Sequence, residues 1–333
     1  MKLAIVILNW NGAVLLEKYL PSVTQFSNGA AIYVADNAST DDSVAFVKAN
    51  YPKLKIIQNT ENGGFAKGYN DALKKVDADL FCLLNSDVEV TENWLKPIET
   101  AFATNPKLAI AQPKILDLLK PDHFEYAGAA GGFIDRLGYP FCRGRIFQTL
   151  EKDTGQYNDS REIFWATGAC MFIKRDVFWD LGGFDEAYFA HQEEVDLCWR
   201  AKNKGLKVYY IGASSVYHLG GSTLSNMNPR KTFLNFRNSL FSITKNLPRN
   251  IAVPIILLRL VLDGVAFFRF LIQFRMRHGL AIIQAHFSFY YHFRKMCRKR
   301  EKTPFIKKYY VTKSIVWSYF VHQIRYFNIL VKD

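Results

Sequence analysis

The chain has 333 residues, of which 49% are hydrophobic and 15% aromatic, and its formal net charge is +13. This composition excludes a disordered chain and is enough for one large domain or two. Residues 251–333 hold 15 lysines and arginines against 3 acidic residues, so almost all of the net charge lies there. A basic, aromatic-rich segment attached to a nearly neutral body indicates an anionic partner surface, either a membrane or a nucleic acid.

Five cysteines are dispersed along the chain without a C-x-x-C pair, and Cys82 falls inside a predicted core strand. That pattern is typical of reduced thiols in a cytosolic protein. The apolar run at the N-terminus is too short for a signal peptide and has no small-residue cleavage site. We therefore expect a buried strand there.

The N-terminal part of the chain alternates short apolar runs with segments of helical periodicity. The apolar runs predict strands at residues 3–8, 31–35, 55–58 and 80–84. Helical spacing predicts helices over residues 13–26, with a break or kink at Pro21, over residues 44–49 and up to about residue 75. This β-α-β-α-β-α-β order implies right-handed crossovers and a parallel sheet.

Polar side chains follow three of these strands, at the edge where open α/β sheets bind ligands. They are Asn9, Asp36 and Asp87, and Asn85 stands two positions before the last. A carboxylate with a nearby carboxamide can hold a divalent cation against a diphosphate. The alternative is that both aspartates cap helices. Three such residues at successive strand ends favour a nucleotide pocket.

A glycine-rich loop at residues 62–70 follows the third strand, and its glycines allow the backbone to approach a ligand closely. Their spacing is neither G-x-G-x-x-G nor that of a Walker A loop, so it gives no support to a Rossmann dinucleotide site. Ordinary turn glycines are the alternative. The segment from about residue 106 to residue 161 is rich in glycine and aromatic residues, and its pattern predicts no definite element.

The next segment regains a clear pattern. Residues 165–174 predict a loop leading into a buried strand, residues 175–181 a short helix closed by two glycines, and residues 207–211 another strand. Glu193, Glu194 and Asp196 crowd at the start of a helix predicted to end near Gly205. The helix macrodipole favours acidic residues in a first turn. Adjacent carboxylates in an aromatic setting also raise one another's pKa, as a general base working near neutral pH requires.

Taken together, these segments resemble the inverting glycosyltransferases of family 2, whose fold is called GT-A. The matching segments follow the family's order at residues 5–12, 34–43, 62–70, 83–87, 167–172, 182–186 and 193–200 and at His218. The resemblance implies an α/β fold with a mostly parallel sheet flanked by helices. It implies a catalytic domain over residues 1–235, followed by a basic, aromatic-rich helical extension over residues 236–333.

The resemblance also implies roles for individual residues. Contacts to a nucleotide sugar are expected from Leu8, Asn9, Asp36, Asn62, Gly64, Lys67, Asn85 and Ser86. The acceptor is expected to lie against Trp165, Thr167, Gly168 and Ala169. Residues 85–87 resemble the family's D-x-D metal motif with Asn in the first position, which leaves Asp87 and His218 as the expected ligands of Mg²⁺ or Mn²⁺. A structural role is the alternative for His218.

Glu194 falls where the family has its catalytic aspartate, and Glu193 and Asp196 are the alternatives for the base. The metal would offset the charge on the departing diphosphate. The base would take a proton from an acceptor hydroxyl, which attacks the anomeric carbon from the opposite face and inverts its configuration. One catalytic carboxylate is enough, because the metal assists the leaving group, whereas hydrolases use two.

Residues 251–274 look at first like a membrane span, but Arg259, Asp263 and Arg269 interrupt them, leaving no uncharged run of about 18 to 20 residues. These charges share one helical face and apolar residues lie opposite, which predicts an amphipathic helix. Aromatic residues at 285–293 then precede a cluster of cations at Arg294, Lys295, Arg298, Lys299, Arg300 and Lys302. The pattern favours an interfacial segment on an anionic leaflet.

Two alternatives for this extension are packing on the catalytic domain and a homodimer contact. Nucleic acid is not expected as a partner, because no known binding module is present. We therefore expect a cytoplasmic enzyme, peripheral on the inner face of the cell membrane. It would move one sugar from dTDP-rhamnose or a UDP-sugar to a hydroxyl of a lipid-linked glycan in cell-surface polysaccharide synthesis.

Two rival functions remain at this point. A sugar-nucleotide pyrophosphorylase would require a first loop rich in glycine and arginine, which residues 9–12 do not provide. A catalytically inactive scaffold would use the basic segment to recruit partners at a membrane.

Overall fold

The first four strands form a parallel unit, as predicted. The structure, a computed structural model, describes residues 1–220, 228–301 and 305–331. The strands are β1 (Leu3–Asn9), β2 (Ala31–Asp36), β3 (Lys55–Gln58) and β4 (Leu80–Asn85), and the helices between them are α1 (Ala13–Phe26), α2 (Ser43–Asn50) and α3 (Gly64–Leu73). Strand β1 pairs in parallel with both β2 and β4, and β2 pairs in parallel with β3.

Helix α1 continues through Pro21 to Phe26, so the break expected there does not occur. Four of its side chains are buried, at Leu16, Tyr19, Leu20 and Val23. Packing of this apolar face holds the helix together despite the backbone hydrogen bond that a proline lacks.

The rest of the sheet is mixed. Its further strands are β5 (Val88–Val90), β6 (Leu108–Asp117), β11 (Ser160–Glu162), β12 (Cys170–Lys174) and β13 (Lys207–His218), and α4 (Leu95–Thr104) precedes β6. The strand order is β11-β13-β6-β12-β4-β1-β2-β3, with β5 added on β13. Within the described residues, four of the eight pairings are parallel and four antiparallel. The predicted α/β class is therefore confirmed, with a mixed sheet.

Alternate residues of each central strand face opposite layers of the core. In β1, Ala4 and Val6 belong to one buried cluster, while Leu3, Ile5 and Ile7 belong to the other. The first cluster continues into α3 and the C-terminal helices, and the second contains the buried faces of α1 and α4. The sheet is thus covered on both faces, as its near-continuous apolar strands require.

Residues 106–161, for which the sequence predicted no definite element, contribute β6 and a small second sheet. That sheet consists of β7 (Gly132–Ile134), β8 (Pro140–Cys142), β9 (Arg145–Ile146) and β10 (Thr149–Leu150). Strands of two or three residues are too short to produce a recognisable period, which explains why the pattern did not reveal them. Strand β13 extends past its predicted end at residue 211 to His218, through a register shift between Ile211 and Ser215.

The C-terminal part of the described chain is helical. After α5 (Arg175–Asp180) and α6 (Glu193–Asn203) come α7 (Pro229–Asn246), α8 (Arg249–Ile272), α9 (Met276–Arg298), α10 (Ile315–Phe320) and α11 (Phe327–Leu330). Helix α7 runs without interruption across the domain boundary predicted at residues 235 and 236. Gly221, three residues after the predicted ligand His218, and Lys302, in the predicted basic cluster, lie outside the described residues.

Helix α8 presents its charged face to the protein and its apolar face outward. The Arg259 guanidinium lies 3.7 Å from the centre of the Tyr139 ring and donates to the Leu137 carbonyl at 3.1 Å. Asp263 Oδ2 lies 3.0 Å from His286 Nε2. The exposed apolar residues of α8 include Leu257, Val261, Val265, Phe268 and Ile272, which are 60–78% exposed. The predicted amphipathic helix is present, and Arg259 and Asp263 of its charged face are buried against neighbouring side chains.

By length and composition alone, α8 would be able to cross a membrane, and it is the one such helix in the described part of the chain. Arg259, Asp263 and Arg269 interrupt α8, but its hydropathy is still high enough for a membrane-spanning helix. Composition of this kind is also found in core helices of soluble proteins, so it assigns no membrane topology.

Candidate active site

The carboxyl ends of β1 and β2 bring Asn9 and Asp36 side by side. The two residues are register partners, and both are buried. Asn9 Nδ2 lies 3.5 Å from Asp36 Oδ1 and donates to Ser39 Oγ at 3.3 Å. The backbone N–H of Ser39 donates to Asp36 Oδ2 at 3.1 Å. Asn9 Oδ1 is buried without a partner among the described residues, so a hydrogen-bond acceptor is left available at this edge.

Asn37, which the sequence reasoning did not single out, joins this edge to the glycine-rich loop. Its Nδ2 donates to Asn62 Oδ1 at 2.9 Å and to the Gly64 carbonyl at 3.1 Å. Gly64 has φ +77, and a Cβ there would lie 2.5 Å from the Phe189 carbonyl oxygen. Only glycine fits this close approach, because both the backbone conformation and the space exclude a side chain.

The other residues predicted to contact the nucleotide sugar lie at the ends of β1 and β4 and on α3. Leu8 and Asn85 are register partners at the ends of β1 and β4, and Ser86 is partly exposed beyond them. Lys67 forms an ion pair with Asp71 one turn along α3 and lies 3.6 Å from Glu61. Its ammonium group is therefore already paired with carboxylates.

Asp87 and His218 meet where β5 pairs with β13. His218 is the register partner of Val88, so its ring lies next to Asp87, and both side chains are buried. His218 Nε2 lies 3.1 Å from Asp87 Oδ1 and 3.5 Å from Asn85 Nδ2. Glu125, also buried, places Oε2 3.5 Å from the other ring nitrogen, Nδ1. Burial lowers the pKa of His218, but the carboxylates of Glu125 and Asp87 outweigh burial and raise it to about 10.

These residues fit a divalent cation that takes further ligands from its substrate. The described residues contain no group of three or more His, Cys, Asp or Glu arranged as a complete metal site. Mg²⁺ is commonly held by one or two protein carboxylates together with substrate phosphates and water. A carboxylate at the second ring nitrogen, where Glu125 lies, orients a ligating histidine and fixes its tautomer. Asp87 and His218 therefore suit a site that a bound diphosphate would complete.

Glu193 and Glu194 begin α6, and one carboxylate oxygen of each is buried. Among the described residues, no group donates a hydrogen bond to Glu193 Oε2 or Glu194 Oε2. Burial, with a smaller contribution from Glu194, raises the pKa of Glu193 well above its ordinary value. Burial also raises the pKa of Glu194 to about 7. Glu193 is 4% exposed, whereas Glu194 is partly exposed.

Asp196, the third predicted carboxylate, is fully buried in a network of its own. Oδ2 accepts from Arg200 Nε and Lys245 Nζ, each at 2.9 Å, and Oδ1 accepts from Asn246 Nδ2 at 2.8 Å. Burial alone raises the pKa of Asp196, but the two cations lower it below its ordinary value. Both oxygens are already hydrogen-bonded, so this side chain is suited to holding α6 against α7.

The loop that precedes Glu193 is strained and is held by α7. Phe189, His191 and Gln192 all have positive φ, at 65, 67 and 72, which is uncommon for residues other than glycine. Asn238 Nδ2 lies 3.0 Å from the Tyr188 carbonyl, 3.0 Å from that of Ala190 and 2.7 Å from that of His191. Strain of this kind persists when the surroundings over-determine it and is frequent at functional sites. Asn238 is thus a positioning residue that sequence reasoning missed.

The predicted acceptor loop contacts sequence neighbours of Asp87 and of Glu194. The Asn85 N–H donates to the Ala169 carbonyl at 3.0 Å, beside Asp87. The Ala166 N–H donates to Cys198 Sγ at 3.4 Å, one helical turn beyond Glu194. The loop therefore joins the end of β4 to α6 by hydrogen bonds.

Three of the four predicted acceptor residues are buried within the framework of this loop. Trp165 Nε1 donates to the Phe133 carbonyl at 3.0 Å, and the Thr167 hydroxyl donates to the Ala127 carbonyl at 2.5 Å. Ala169 is buried as well, and Gly168 alone of the four is partly exposed. A Cβ at Gly168 would lie 2.9 Å from the Phe65 ring.

Comparison with known proteins gives a consistent result. A family model described as glycosyl transferase family 2 matches residues 4–182. An N-acetylglucosaminyl-diphospho-decaprenol L-rhamnosyltransferase of Mycobacterium tuberculosis is 28% identical over 228 residues, which cover 62% of this chain and 73% of that protein.

Two solved structures share the fold. The S. aureus TarS 1–349 complex with UDP-GlcNAc has a TM-score of 0.57 at 15% identity, over 90% of this chain and 84% of that one. GalNAc-T7 with UDP, GalNAc and Mn²⁺ also has a TM-score of 0.57, at 16% identity, over 74% of this chain. The match spans about half of that chain, 48%.

Proposed function

This chain belongs to glycosyl transferase family 2 and is a glycosyltransferase, and we propose that it moves one sugar, with inversion, from a nucleotide-diphospho-sugar to a hydroxyl of a lipid-linked glycan. The observation that carries the proposal is the loop at residues 165–169. It is hydrogen-bonded to Asn85, two residues before Asp87, and to Cys198, one helical turn after Glu194. A leaving-group site and a base on either side of one loop are what a single displacement at an anomeric carbon requires.

Each group has a defined task in this scheme. Asn9 and Asp36 would contact the nucleoside, and Asp87 and His218 would hold Mg²⁺ or Mn²⁺. When bound, the ion supplies positive charge that offsets the charge developing on the leaving diphosphate. Glu194 accepts the proton of the acceptor hydroxyl, whose oxygen attacks the anomeric carbon from the face opposite the nucleotide. Its raised pKa suits a base that must hold and release a proton near neutral pH.

The proposed donor is dTDP-rhamnose, because the Mycobacterium tuberculosis relative is named an L-rhamnosyltransferase. A thermal-shift screen with Mn²⁺ should show a larger rise in Tm with dTDP-rhamnose than with UDP-sugars. Ligand present at about 100 times its Kd stabilises the folded state by about 2.7 kcal/mol. A larger shift with a UDP-sugar would reassign the donor. If no nucleotide sugar shifts Tm, the proposed function is wrong.

The proposed location is the inner face of the cell membrane, with the exposed apolar face of α8 in contact with lipid. That face belongs to the segment that carries nearly all of the net positive charge, which suits an anionic leaflet. A helix whose charges face the protein while its apolar residues face outward needs an apolar environment to cover it.

Replacing Val261, Val265 and Phe268 by serine should weaken sedimentation with anionic vesicles by about tenfold or more, since each buried apolar side chain contributes about 1.5 kcal/mol or more. Val14→Ser with Leu119→Ser is the matched control, because both side chains are exposed, at 75% and 74%, and lie elsewhere. Unchanged sedimentation in the triple variant would refute the contact. A monomer–dimer equilibrium abolished by the triple variant would assign the face to a second copy of the chain.

A further inference from the structure

A second candidate site lies between the catalytic part of the chain and the C-terminal helices. A cavity of about 1070 Å³ opens between α7, α8, the start of α9 and the segment around α10. Its lining includes six aromatic residues, which are Tyr126, Phe147, Phe236, Phe270, Tyr319 and Phe320. The nucleotide-sugar residues described above are not part of this lining, so the proposed function leaves the cavity unused.

The charge of the cavity is of one sign. Its lining includes Lys231, Arg269, Arg275 and Arg325, with no aspartate or glutamate. Among the described residues, none of the three arginines forms an ion pair with a carboxylate. The Arg269 guanidinium lies 4.8 Å from the centre of the Phe320 ring, and Arg325 donates to the Tyr319 hydroxyl at 3.0 Å. Arg269 and Arg325 lie against aromatic rings and form no ion pair among the described residues, so they are available to an anionic ligand.

Two residues of the cavity lining lie close to residues of the candidate active site. Tyr126 follows Glu125, whose carboxylate lies 3.5 Å from His218 Nδ1. Burial lowers the pKa of His191 to about 4, with a smaller contribution from the positive charge of nearby Lys231. The cavity therefore borders Glu125, which contacts His218, and the strained loop before Glu194.

The other end of the cavity adjoins the exposed apolar face of α8. Ala266, Arg269 and Gln273 line the cavity, and the exposed residues Val265, Phe268 and Ile272 alternate with them along the same helix. An amphiphile could thus place an anionic group in the cavity and an apolar chain along the outside of α8. The anionic group of such a ligand would lie among the cations of the cavity, and its apolar chain would lie along the exposed apolar residues of α8.

We propose that this cavity binds the diphosphate that joins the acceptor sugar to its lipid. The inference rests on the proposed function, and it deepens that function by assigning the acceptor's anionic group to Lys231, Arg269, Arg275 and Arg325. A diphosphate suits the site because guanidinium groups bind phosphate oxygens in paired hydrogen bonds. The acceptor sugar then points toward Glu194, while the lipid leaves along α8.

Binding of farnesyl diphosphate tests the proposal. The full chain is titrated in detergent with EDTA present, so that no metal at Asp87 and His218 can capture the probe. The Arg269→Gln, Arg275→Gln double variant should bind about tenfold or more weakly than the unchanged protein, because two charge-assisted contacts are lost. The Arg294→Gln, Arg298→Gln variant is the matched control, since it removes two exposed arginines outside the cavity lining. Its affinity should stay within about twofold.

Several outcomes overturn the proposal. Failure of the unchanged protein to bind the probe, or an equal loss in both double variants, would show that the cavity has no specific role. Inorganic pyrophosphate binding as tightly as the probe, with the same loss in the cavity variant, would show a site for free phosphate instead of a lipid. The nucleotide-sugar thermal shift, measured in parallel, should be the same in all variants. Its absence from the unchanged protein would instead refute the proposed function.

Discussion

Glu194→Gln is expected to lower the rate of sugar transfer by about 10²- to 10⁴-fold, the usual contribution of a general base, while donor affinity stays near that of the unchanged protein. Glutamine keeps the shape of the side chain but cannot accept the proton. Because the proposed donor contacts lie at the carboxyl ends of β1, β2 and β4, we expect their geometry not to depend on this carboxylate. Initial rates at saturating donor, together with the donor thermal shift, separate the two effects.

The pH dependence gives an independent check. Burial raises the pKa of Glu194 to about 7. The ionised form is the base, so the transfer rate should rise with pH through about 7 and level off above it. In the unfolded chain the same carboxyl titrates near 4.5. Between these values the folded state holds a proton that the unfolded state has released, so its stability falls as pH rises.

Glu194→Gln removes that dependence. The variant should therefore have a higher Tm than the unchanged protein at pH 8, although the two should be similar at pH 4. A variant that loses activity but gains stability is the expected result when the replaced residue is needed for function and destabilises the fold. A variant that is inactive because it is misfolded would instead show a lower Tm at both pH values.

Two further substitutions define the controls for this prediction. Glu99→Gln, at an exposed position on α4, should leave rate and stability unchanged. Asp196→Asn should lower Tm, since it weakens the hydrogen bonds that Asp196 accepts from Arg200 and Lys245.

If Glu193→Gln abolishes transfer while Glu194→Gln does not, the more deeply buried Glu193 is the base and our assignment is wrong.

The sequence was sufficient for the parts of the site that follow long, regular elements. Asn9, Asp36 and Asn85 end buried parallel strands, and the parallel pairing alone requires those ends to meet. The same reasoning extends to Asp87, which comes two residues after β4. Strand ends of this kind are visible in a sequence because the apolar run stops at a polar residue.

Other parts of the site depend on contacts between distant segments, and local patterns do not encode these. Glu125 reaches His218 from a segment without any recognisable period, and Asn238 reaches the strained loop from the middle of α7. A lone glutamate or asparagine in such surroundings gives no signal. The orientation of α8 could not be predicted for the same reason. Periodicity shows that the helix has a charged face and an apolar face, but not which of them packs against the protein.

Asp87→Asn is expected to abolish the metal-dependent part of donor binding and to lower the transfer rate by about 10³-fold, since charge stabilisation by a bound metal is worth several kcal/mol. Asparagine is chosen because its carboxamide can still reach His218, which lies 3.1 Å away, so the fold around β5 and β13 should persist. What it loses is the negative charge that attracts a divalent cation. The Mn²⁺-dependent thermal shift with the donor measures this directly.

The effect of EDTA decides whether Asp87 acts through the metal. EDTA should reduce the rate of the unchanged protein to about that of Asp87→Asn, and it should reduce the variant no further, because both treatments remove the same interaction. Asp77→Asn is the matched control. It removes an exposed carboxylate that precedes β4 at the opposite edge of the sheet, where it pairs with Lys2. If Asp87→Asn still responds to EDTA as the unchanged protein does, the metal is held by other residues, and Asp87 then acts on His218 alone.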